Sequence, residues 1–252
     1  MKKLLIIYLF IFQATVAQIP CSDGFADEYP CSNYDLMSQI PVTTLANTNG
    51  TPEGSDIWGW TDTTSGKEYA IAAMTNSTAF VDITDPINPI FLGRLDSNAG
   101  NNYWRDVKVY NNHAFIVSEA AGHGLQVFDL TRLRDLTEKQ DFTVDSHLTE
   151  FGNAHNIAIN EESGFAYVIG SSLYNGGPVF IDINDPKNPI IVGGYEADSY
   201  THDAQIVIYD GPDPNFQGKE LLFGSNSDGG NNNQVVIVDV TDKESPKRVN
   251  SI

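Results

Sequence analysis

The sequence predicts an all-β chain made of repeated units of four short antiparallel strands, arranged as a β-propeller. The first observation is a phrase of apolar and β-branched residues with aspartate at its fourth position, and it occurs four times, at 79–83, 126–130, 179–183 and 236–240. The second observation is the spacing, because the phrase returns about every fifty residues. Such a period is typical of propeller blades and not of a two-sheet sandwich.

Turn residues close the phrase and separate it from a further strand. Segments 84–89 and 184–189 both contain Asp-Pro-x-Asn-Pro, and proline cannot donate a hydrogen bond to a strand ladder. These segments are therefore predicted to be structural turns, followed by strands at 90–93 and 190–193. Two strands precede each phrase, at 57–60 and 69–73, 107–110 and 114–117, 157–159 and 165–169, and 205–209 and 220–223.

Two local signals and the end of the sequence complete this prediction. Asn111-Asn112 is a hairpin-turn signal, and 131–136 predicts a single helical turn. About four blades are visible at 55–252, and the sequence stops where the last strand of the fourth blade is expected. We therefore expect an incomplete ring.

The N-terminal residues have the composition of a secretory signal peptide. Lys2 and Lys3 precede an apolar run at 4–12, and small or slim residues lead to Ala17, after which cleavage is expected. The run is too short to cross a bilayer. In an exported chain two neighbouring cysteines usually pair, so we expect a Cys21–Cys31 disulfide in an N-terminal segment at 18–54.

The charge narrows the class of partner. Fourteen basic residues stand against 33 acidic residues, which gives a formal net charge of -19. Such an acidic chain is a poor partner for nucleic acid or for an anionic membrane surface, and no transmembrane segment is expected after residue 17. The charge is compatible with a divalent metal ion as cofactor, but does not establish one.

The repeated phrase resembles the LVIVD repeat, and the longer pattern resembles the choice-of-anchor B family of exported bacterial proteins. The matching stretches are 21–26 with 29–31, 56–62, 104–110, 115–120, 122–134, 154–157 and 200–205. The resemblance as a whole covers nearly all of the chain after residue 17. The resemblance implies a β-propeller at the cell surface or secreted. It implies no established enzyme activity.

A polar pair precedes the first strand of every unit, and these pairs are the candidate site. In a propeller the first strands line the central channel, and the links from second to third strands emerge at the same end. We therefore expect one group at the channel mouth: Arg105, Asp106, Glu119, His123, His155, Asn156, His202 and Asp203. Of these, His123, His155 and His202 are candidate metal ligands.

A structural role competes with the binding role for part of this group. Asp56, Asp106, Asn156 and Asp203 recur in every unit, so they are expected to hydrogen-bond backbone at the start of the first strands. The repeated Asp82, Asp129, Asp182 and Asp239 are interpreted in the same way. The tryptophans at 58, 60 and 104 are expected to serve packing more than sugar binding.

Three function classes fit these patterns. The first is an exported or cell-surface binding module without enzyme activity, since metalloprotease, nucleophile-elbow and phosphate-loop motifs are absent from the sequence. The alternative is a metal-assisted hydrolase or lactonase-like enzyme at the channel mouth, where a bound ion would activate water. A structural spacer in a surface protein is the third.

Overall fold

The structure is a computed structural model that describes residues 18–47, 51–227 and 233–252, so the expected signal peptide at 1–17 lies outside the described residues. The described chain is all-β, as predicted, with one short helix α1 at Val42–Leu45 and two 3₁₀ helices at Leu130–Leu133 and Tyr174–Gly176. In this part of the chain no helix has the length and apolar character that a bilayer crossing requires. Two compact units are distinguished.

The first unit comprises the described residues up to Gln39 together with Asp85–Pro89. Strands β1 (Phe25–Ala26) and β2 (Tyr29–Pro30) form an antiparallel pair. Cys21 and Cys31 form a disulfide, with their Cα atoms 5.9 Å apart, which confirms the predicted pairing and fits an exported protein. Asp35 accepts hydrogen bonds from the Cys21 backbone N–H and the Gln18 side chain.

The second unit comprises Ile40–Thr84 and Ile90–Ile252, and its strands form four sheets in chain order. Sheet 1 contains β3 (Gly54–Asp62), β4 (Lys67–Met74), β5 (Ser77–Asp82), β6 (Ile90–Asp96) and, parallel to β6, β10 (Gln140–Phe142). Sheet 2 contains β7 (Arg105–Tyr110), β8 (His113–Ser118), β9 (Leu125–Asp129) and β11 (Ser146–Leu148).

The remaining two sheets, like sheet 2, are four-stranded and antiparallel. Sheet 3 contains β12 (Asn156–Asn160), β13 (Phe165–Ile169), β14 (Val179–Asp182) and β15 (Ile190–Gly194). Sheet 4 contains β16 (Thr201–Ile208), β17 (Glu220–Asn226), β18 (Gln234–Asp239) and β19 (Lys247–Ser251). Sheets 2, 3 and 4 therefore have the predicted number of four antiparallel strands, and sheet 1 has a fifth, β10.

The turns follow the local chemistry that the sequence predicted. Asn111 and Asn112 both have positive φ, at 45° and 59°, as a two-residue hairpin turn requires. Asp185 accepts hydrogen bonds from the Lys187 N–H and the Asn188 amide, so this Asp-Pro-x-Asn-Pro segment is a self-bonded turn. The helical turn predicted at 131–136 forms at Leu130–Leu133, where the Asp129 side chain accepts from the Thr131 N–H.

The repeated aspartate of the phrase has a structural role in all four copies. Its carboxylate accepts a hydrogen bond from the backbone N–H two residues later, and three of the four carboxylates also bind a lysine. The backbone pairs are Asp82 with Thr84, Asp129 with Thr131, Asp182 with Asn184 and Asp239 with Thr241, and the lysines are Lys67 on Asp82, Lys187 on Asp129 and Lys219 on Asp239.

Hydrophobic clusters join each sheet to the next one in the chain. Trp60, Tyr69 and Phe80 of sheet 1 pack with Ile116 and Phe128 of sheet 2. Similar clusters join sheet 2 to sheet 3 around Val127, Ile157 and Val168, and sheet 3 to sheet 4 around Tyr167, Phe180 and Leu222. The first strands β3, β7, β12 and β16 contact one another in that order, so the polar residues at their starts are brought near each other.

Candidate functional site

The four first strands line an open cavity of about 780 Å³, which we call the first-strand cavity. Its lining comes from β3, β7, β12, β16 and the residues next to them: Ser55, Asp56, Trp58, Tyr103, Trp104, Arg105, Asp106, Lys108, Val109, His155, Asn156, Ile157, Ala158, Ile159, Glu161, Asp203, Ala204 and Gln205. The cavity is large enough for a small organic molecule. Of the eight sequence-predicted site residues, five line it: Arg105, Asp106, His155, Asn156 and Asp203.

The recurring Asp and Asn residues link each first strand to the next. Asp56 accepts from the Val107 N–H at 3.2 Å, and Asp106 accepts from the Ile157 N–H at 2.8 Å. Asn156 donates to the His202 carbonyl oxygen at 2.9 Å. The structural interpretation of these three positions is therefore supported by direct contacts. Asp203 is exposed and accepts only from its neighbour's N–H, on Ala204, among the side-chain hydrogen bonds of the described residues.

The carboxyl group of Asp106 is both structural and electrostatically perturbed. Asp106 is 5% exposed, and burial raises the pKa of its carboxyl to about 6, with the nearby Asp56 carboxyl acting in the same direction. Lys108 opposes this shift, since its ammonium lies 2.5 Å from one Asp106 oxygen and 3.7 Å from Asp56. The same ammonium lies 4.4 Å from the centroid of the Trp58 ring.

Glu119, His155 and His202 form a continuous hydrogen-bonded series. A Glu119 carboxylate oxygen lies 2.6 Å from His155 Nδ1, and His155 Nε2 lies 3.0 Å from His202 Nε2. A carboxylate accepts, so neutral His155 carries its proton on Nδ1 and accepts from His202 through Nε2.

Aromatic rings surround His155. The Trp104 and His155 ring centroids are 5.9 Å apart, Tyr103 contacts Trp104 at 5.1 Å, and Tyr200 contacts both imidazoles at 6.4 and 6.5 Å. Burial raises the pKa of Tyr200, and the Glu119 charge adds to this shift. Trp104 and Tyr103 remain 52% and 48% exposed, and Trp58 remains 42% exposed. Trp60 is buried, as expected of a packing residue, whereas Trp58 and Trp104 are about half exposed and contact Lys108 and His155 of the next sheet.

Arg105 and His123 point into a separate buried network between sheets 1 and 2. The Arg105 guanidinium donates to Ser97 and Thr78 and lies 3.3 Å from His123 Nε2, while His123 Nδ1 lies 2.9 Å from the Gly124 carbonyl oxygen. Burial lowers the pKa of Arg105 to about 10. Burial also lowers the pKa of His123 to about 4, with the Arg105 charge acting in the same direction, so His123 is neutral.

These contacts separate His123 from His155 and His202, so the three histidines predicted as metal ligands do not come together. Both ring nitrogens of His123 face Gly124 and Arg105, whereas His155 and His202 contact each other. Among the described residues, no three or more His, Cys, Asp or Glu side chains form a group that could hold a metal ion. The physical reason is that His123 is fully buried, and desolvation together with the Arg105 charge favours a hydrogen-bonded neutral ring.

Sequence reasoning missed several residues of the cavity wall. Tyr103, Trp104, Lys108 and Glu161 line the cavity, although only the polar pairs were predicted to do so. Trp58 and Lys108 stand two residues after Asp56 and Asp106, on strands whose side chains alternate. That alternation was the available signal, because residues i and i+2 of a channel-lining strand face the same side.

The comparisons with known proteins are limited to distant structural likeness. No family model matches the chain, and no curated protein matches it. A solved extracellular domain from B. thetaiotaomicron, assigned to a one component system, matches with a TM-score of 0.43 and 14% sequence identity. The match covers 89% of this chain and 33% of that one, so this chain spans about a third of that structure's length. A likeness of this size carries no functional information.

Proposed function

We propose that this chain is an exported or cell-surface β-propeller that acts as a binding module, with the first-strand cavity as its binding site. The propeller arrangement is supported by the order of contacts among β3, β7, β12 and β16 and by the clusters that join successive sheets. The resemblance to choice-of-anchor B proteins with LVIVD repeats supports the same arrangement, with the repeats at 55–252 and the signal peptide at 1–17.

The binding role depends on one observation, which is the exposed aromatic surface in a polar cavity. Trp58, Tyr103 and Trp104 are each 42% exposed or more, and all three line the same cavity. Burying such rings contributes to folding stability, so leaving three of them open to solvent in one concave surface is typical of a ligand site. Asp203, Gln205 and Lys108 supply polar groups around them, as small-molecule sites require.

A thermal-shift screen tests this proposal. The purified protein is heated with soluble amines, carboxylic acids, monosaccharides and oligosaccharides, alongside the variants Trp104→Ala and Tyr34→Ala. We expect at least one class to raise the melting temperature of the wild type by about 3 °C at ten times its dissociation constant. Trp104→Ala should lose this rise, and Tyr34→Ala should keep it, since Tyr34 is an exposed ring outside the cavity lining. A rise that both variants retain would contradict the assignment of the site.

The metal-assisted hydrolase is a separate hypothesis with its own test. Glu119 holds His155, and His155 holds His202 through its Nε2, so His202 is the imidazole at the end of the series that would act as a general base. Elemental analysis of the purified protein measures bound divalent metal directly. A stoichiometric metal that is lost in the double variant His155→Ala, His202→Ala would favour the hydrolase over the simple binding module.

A further inference from the structure

The first-strand cavity is lined by more acidic than basic side chains. Four carboxylates line it, from Asp56, Asp106, Glu161 and Asp203. The basic lining residues are Lys108 and Arg105, and the Arg105 guanidinium is directed to Thr78, Ser97 and His123 instead. The cavity thus adds a local negative charge to a chain whose formal net charge is -19, and it attracts cations and repels anions.

One wall of the cavity already holds an alkylammonium group. The Lys108 ammonium lies 4.4 Å from the Trp58 ring centroid, with carboxylate oxygens of Asp106 and Asp56 at 2.5 and 3.7 Å. The electron-rich face of an indole attracts a cation, and the carboxylates complete its neutralisation. The first strands therefore provide an environment that stabilises a primary ammonium within the cavity.

The same cavity is also lined by a second exposed indole and by a carboxylate that no cation of the described residues neutralises. Trp104 and Tyr103 contact each other edge to face and are about half exposed. Asp203 lies on β16 and lines the same cavity. Within the described ranges it has no ion-pair partner. An exposed indole and an unpaired carboxylate are the two features that Trp58 and Asp56 show with Lys108.

We propose that the first-strand cavity binds a small aliphatic ammonium ion through Trp104 and Asp203. This inference rests on the proposed binding function and adds the chemical class of the ligand. A diamine fits these residues, because one of its ammonium groups can contact the Trp104 face while its methylenes cover Tyr103. A neutral sugar could also stack on the rings, but it carries no positive charge for the Asp203 carboxylate to attract.

Three linear probes of equal carbon length separate charge from shape. Isothermal titration calorimetry is run at low salt with 1,5-diaminopentane, 1,5-pentanediol and glutarate, which are cationic, neutral and anionic. We expect the diamine to bind at least tenfold more tightly than the diol, and glutarate to give no binding heat. Raising the salt concentration should weaken the diamine and leave the diol unchanged, because only the charged contact is screened.

Variants locate the contact. Trp104→Ala and Asp203→Asn should each weaken diamine binding about tenfold or more, while Asp141→Asn should leave it unchanged, since Asp141 is an exposed carboxylate outside the cavity lining. Circular dichroism checks that each variant is folded. Diamine binding that survives both cavity variants would overturn the proposal.

The outcomes distinguish the ligand class from the binding function. Equal or tighter binding of the diol or of glutarate, lost in Trp104→Ala, would overturn the cationic ligand and leave the binding function standing. If none of the three probes binds, and no compound of the amine, acid and sugar panel raises the melting temperature, the cationic ligand and the binding function are both overturned.

Discussion

Burial sets the charge of two residues beside the first-strand cavity, and it acts on them in opposite directions. His123 is fully buried and remains neutral, while Asp106 is almost fully buried and takes up a proton more readily than an ordinary aspartate. Both effects are consequences of desolvation, which disfavours the charged form of any group. Each makes folding stability depend on pH, with opposite signs.

His123 is expected to destabilise the fold as the pH falls. Its pKa is about 4 in the folded chain and about 6.5 when unfolded, so below pH 6.5 the unfolded chain gains a proton that the folded chain does not. His123→Gln removes this loss, which is on the order of 3 kcal/mol between pH 7 and pH 4. Urea unfolding of both proteins at several pH values measures it. An identical pH dependence in the two proteins would contradict the assignment.

Asp106 is expected to have the opposite effect over an overlapping range. Its folded pKa of about 6 lies above the ordinary 3.8, so between these values the folded chain keeps a proton that the unfolded chain has released. Stability therefore falls as the pH rises through this window, by at most about 3 kcal/mol. Asp106→Asn should remove this decrease in folding stability with rising pH. The net loss of stability at low pH, which His123 causes, should then be larger than in the wild type. A variant that shows the opposite change in slope would refute the burial argument.

The role of a single residue could be predicted where the same residue type recurs in every repeat. It could not be predicted where the role depends on the direction in which the side chain points. Asp56, Asp106 and Asn156 recur at one position of each unit, and the structural role expected of them is seen in their links to neighbouring strands. Arg105 and His123 were placed at the mouth because of their position in the chain. Their side chains turn into the packing between two sheets, and no sequence pattern reports that rotation.

At the scale of the strands, buried polar networks join neighbouring sheets alongside the hydrophobic clusters. Glu220 on β17 accepts hydrogen bonds from Asn160 at 2.6 Å and from Tyr167 at 2.8 Å, both on sheet 3. Its other oxygen binds the Lys243 ammonium at 2.6 Å. Burial opposes the charge on Glu220, but Lys243 and the hydrogen-bond donors outweigh it and lower the pKa of this carboxyl. A complete network of this kind fixes the relation of the two sheets.

Removal of the Glu220 carboxylate should therefore destabilise the fold strongly. Glu220→Ala leaves Lys243 and three hydroxyl or amide donors without their acceptor, and breaking such a buried pair typically costs about 3–5 kcal/mol. The matched control is Glu162→Ala, an exposed carboxylate in the same hairpin as Asn160, with an expected change within about 0.5 kcal/mol. Chemical denaturation compares the two. Equal stability of both variants would show that the network contributes nothing.

The strands that the sequence predicted are those that carry the repeated phrase or alternate in polarity. Strands β10 and β11 were missed, since Gln140–Phe142 and Ser146–Leu148 are three residues each and lie in a segment without such a pattern. They are added at the outer edges of sheets 1 and 2, next to β6 and β9. Short edge strands depend on the partner that tertiary folding supplies, so their own residues specify them weakly.

At the scale of the whole molecule, the repeat explains both the fold and the position of the cavity. Each of the four repeats supplies one first strand. The contacts among these strands bring polar and aromatic residues from distant parts of the chain to one surface. The repeat could be predicted from the sequence because its phrase is nearly constant. The aromatic and charged residues of the cavity wall were missed because they differ from one repeat to the next, and only the alternation of side chains along the first strands indicated them.

The mature N-terminus and its disulfide are expected to be set during export. Removal of 1–17 should give a chain that begins at Gln18, with Cys21 and Cys31 oxidised. Intact-mass analysis of the exported protein without reductant, before and after alkylation, measures both. A chain that still begins at Met1, or one that gains two alkyl groups without reduction, would contradict the expectation.

The three tryptophans provide the most direct measurement of the central claim, that the first-strand cavity is the binding site. Trp58 and Trp104 line the cavity, whereas Trp60 is 6% exposed and donates its indole N–H to Asn112. In ¹⁵N-labelled protein each indole N–H gives its own nuclear magnetic resonance signal. Titration with the compound that stabilises the protein most in the thermal-shift screen should move the Trp104 and Trp58 signals and leave that of Trp60 in place. Saturable binding that leaves the Trp58 and Trp104 signals unmoved would contradict the account.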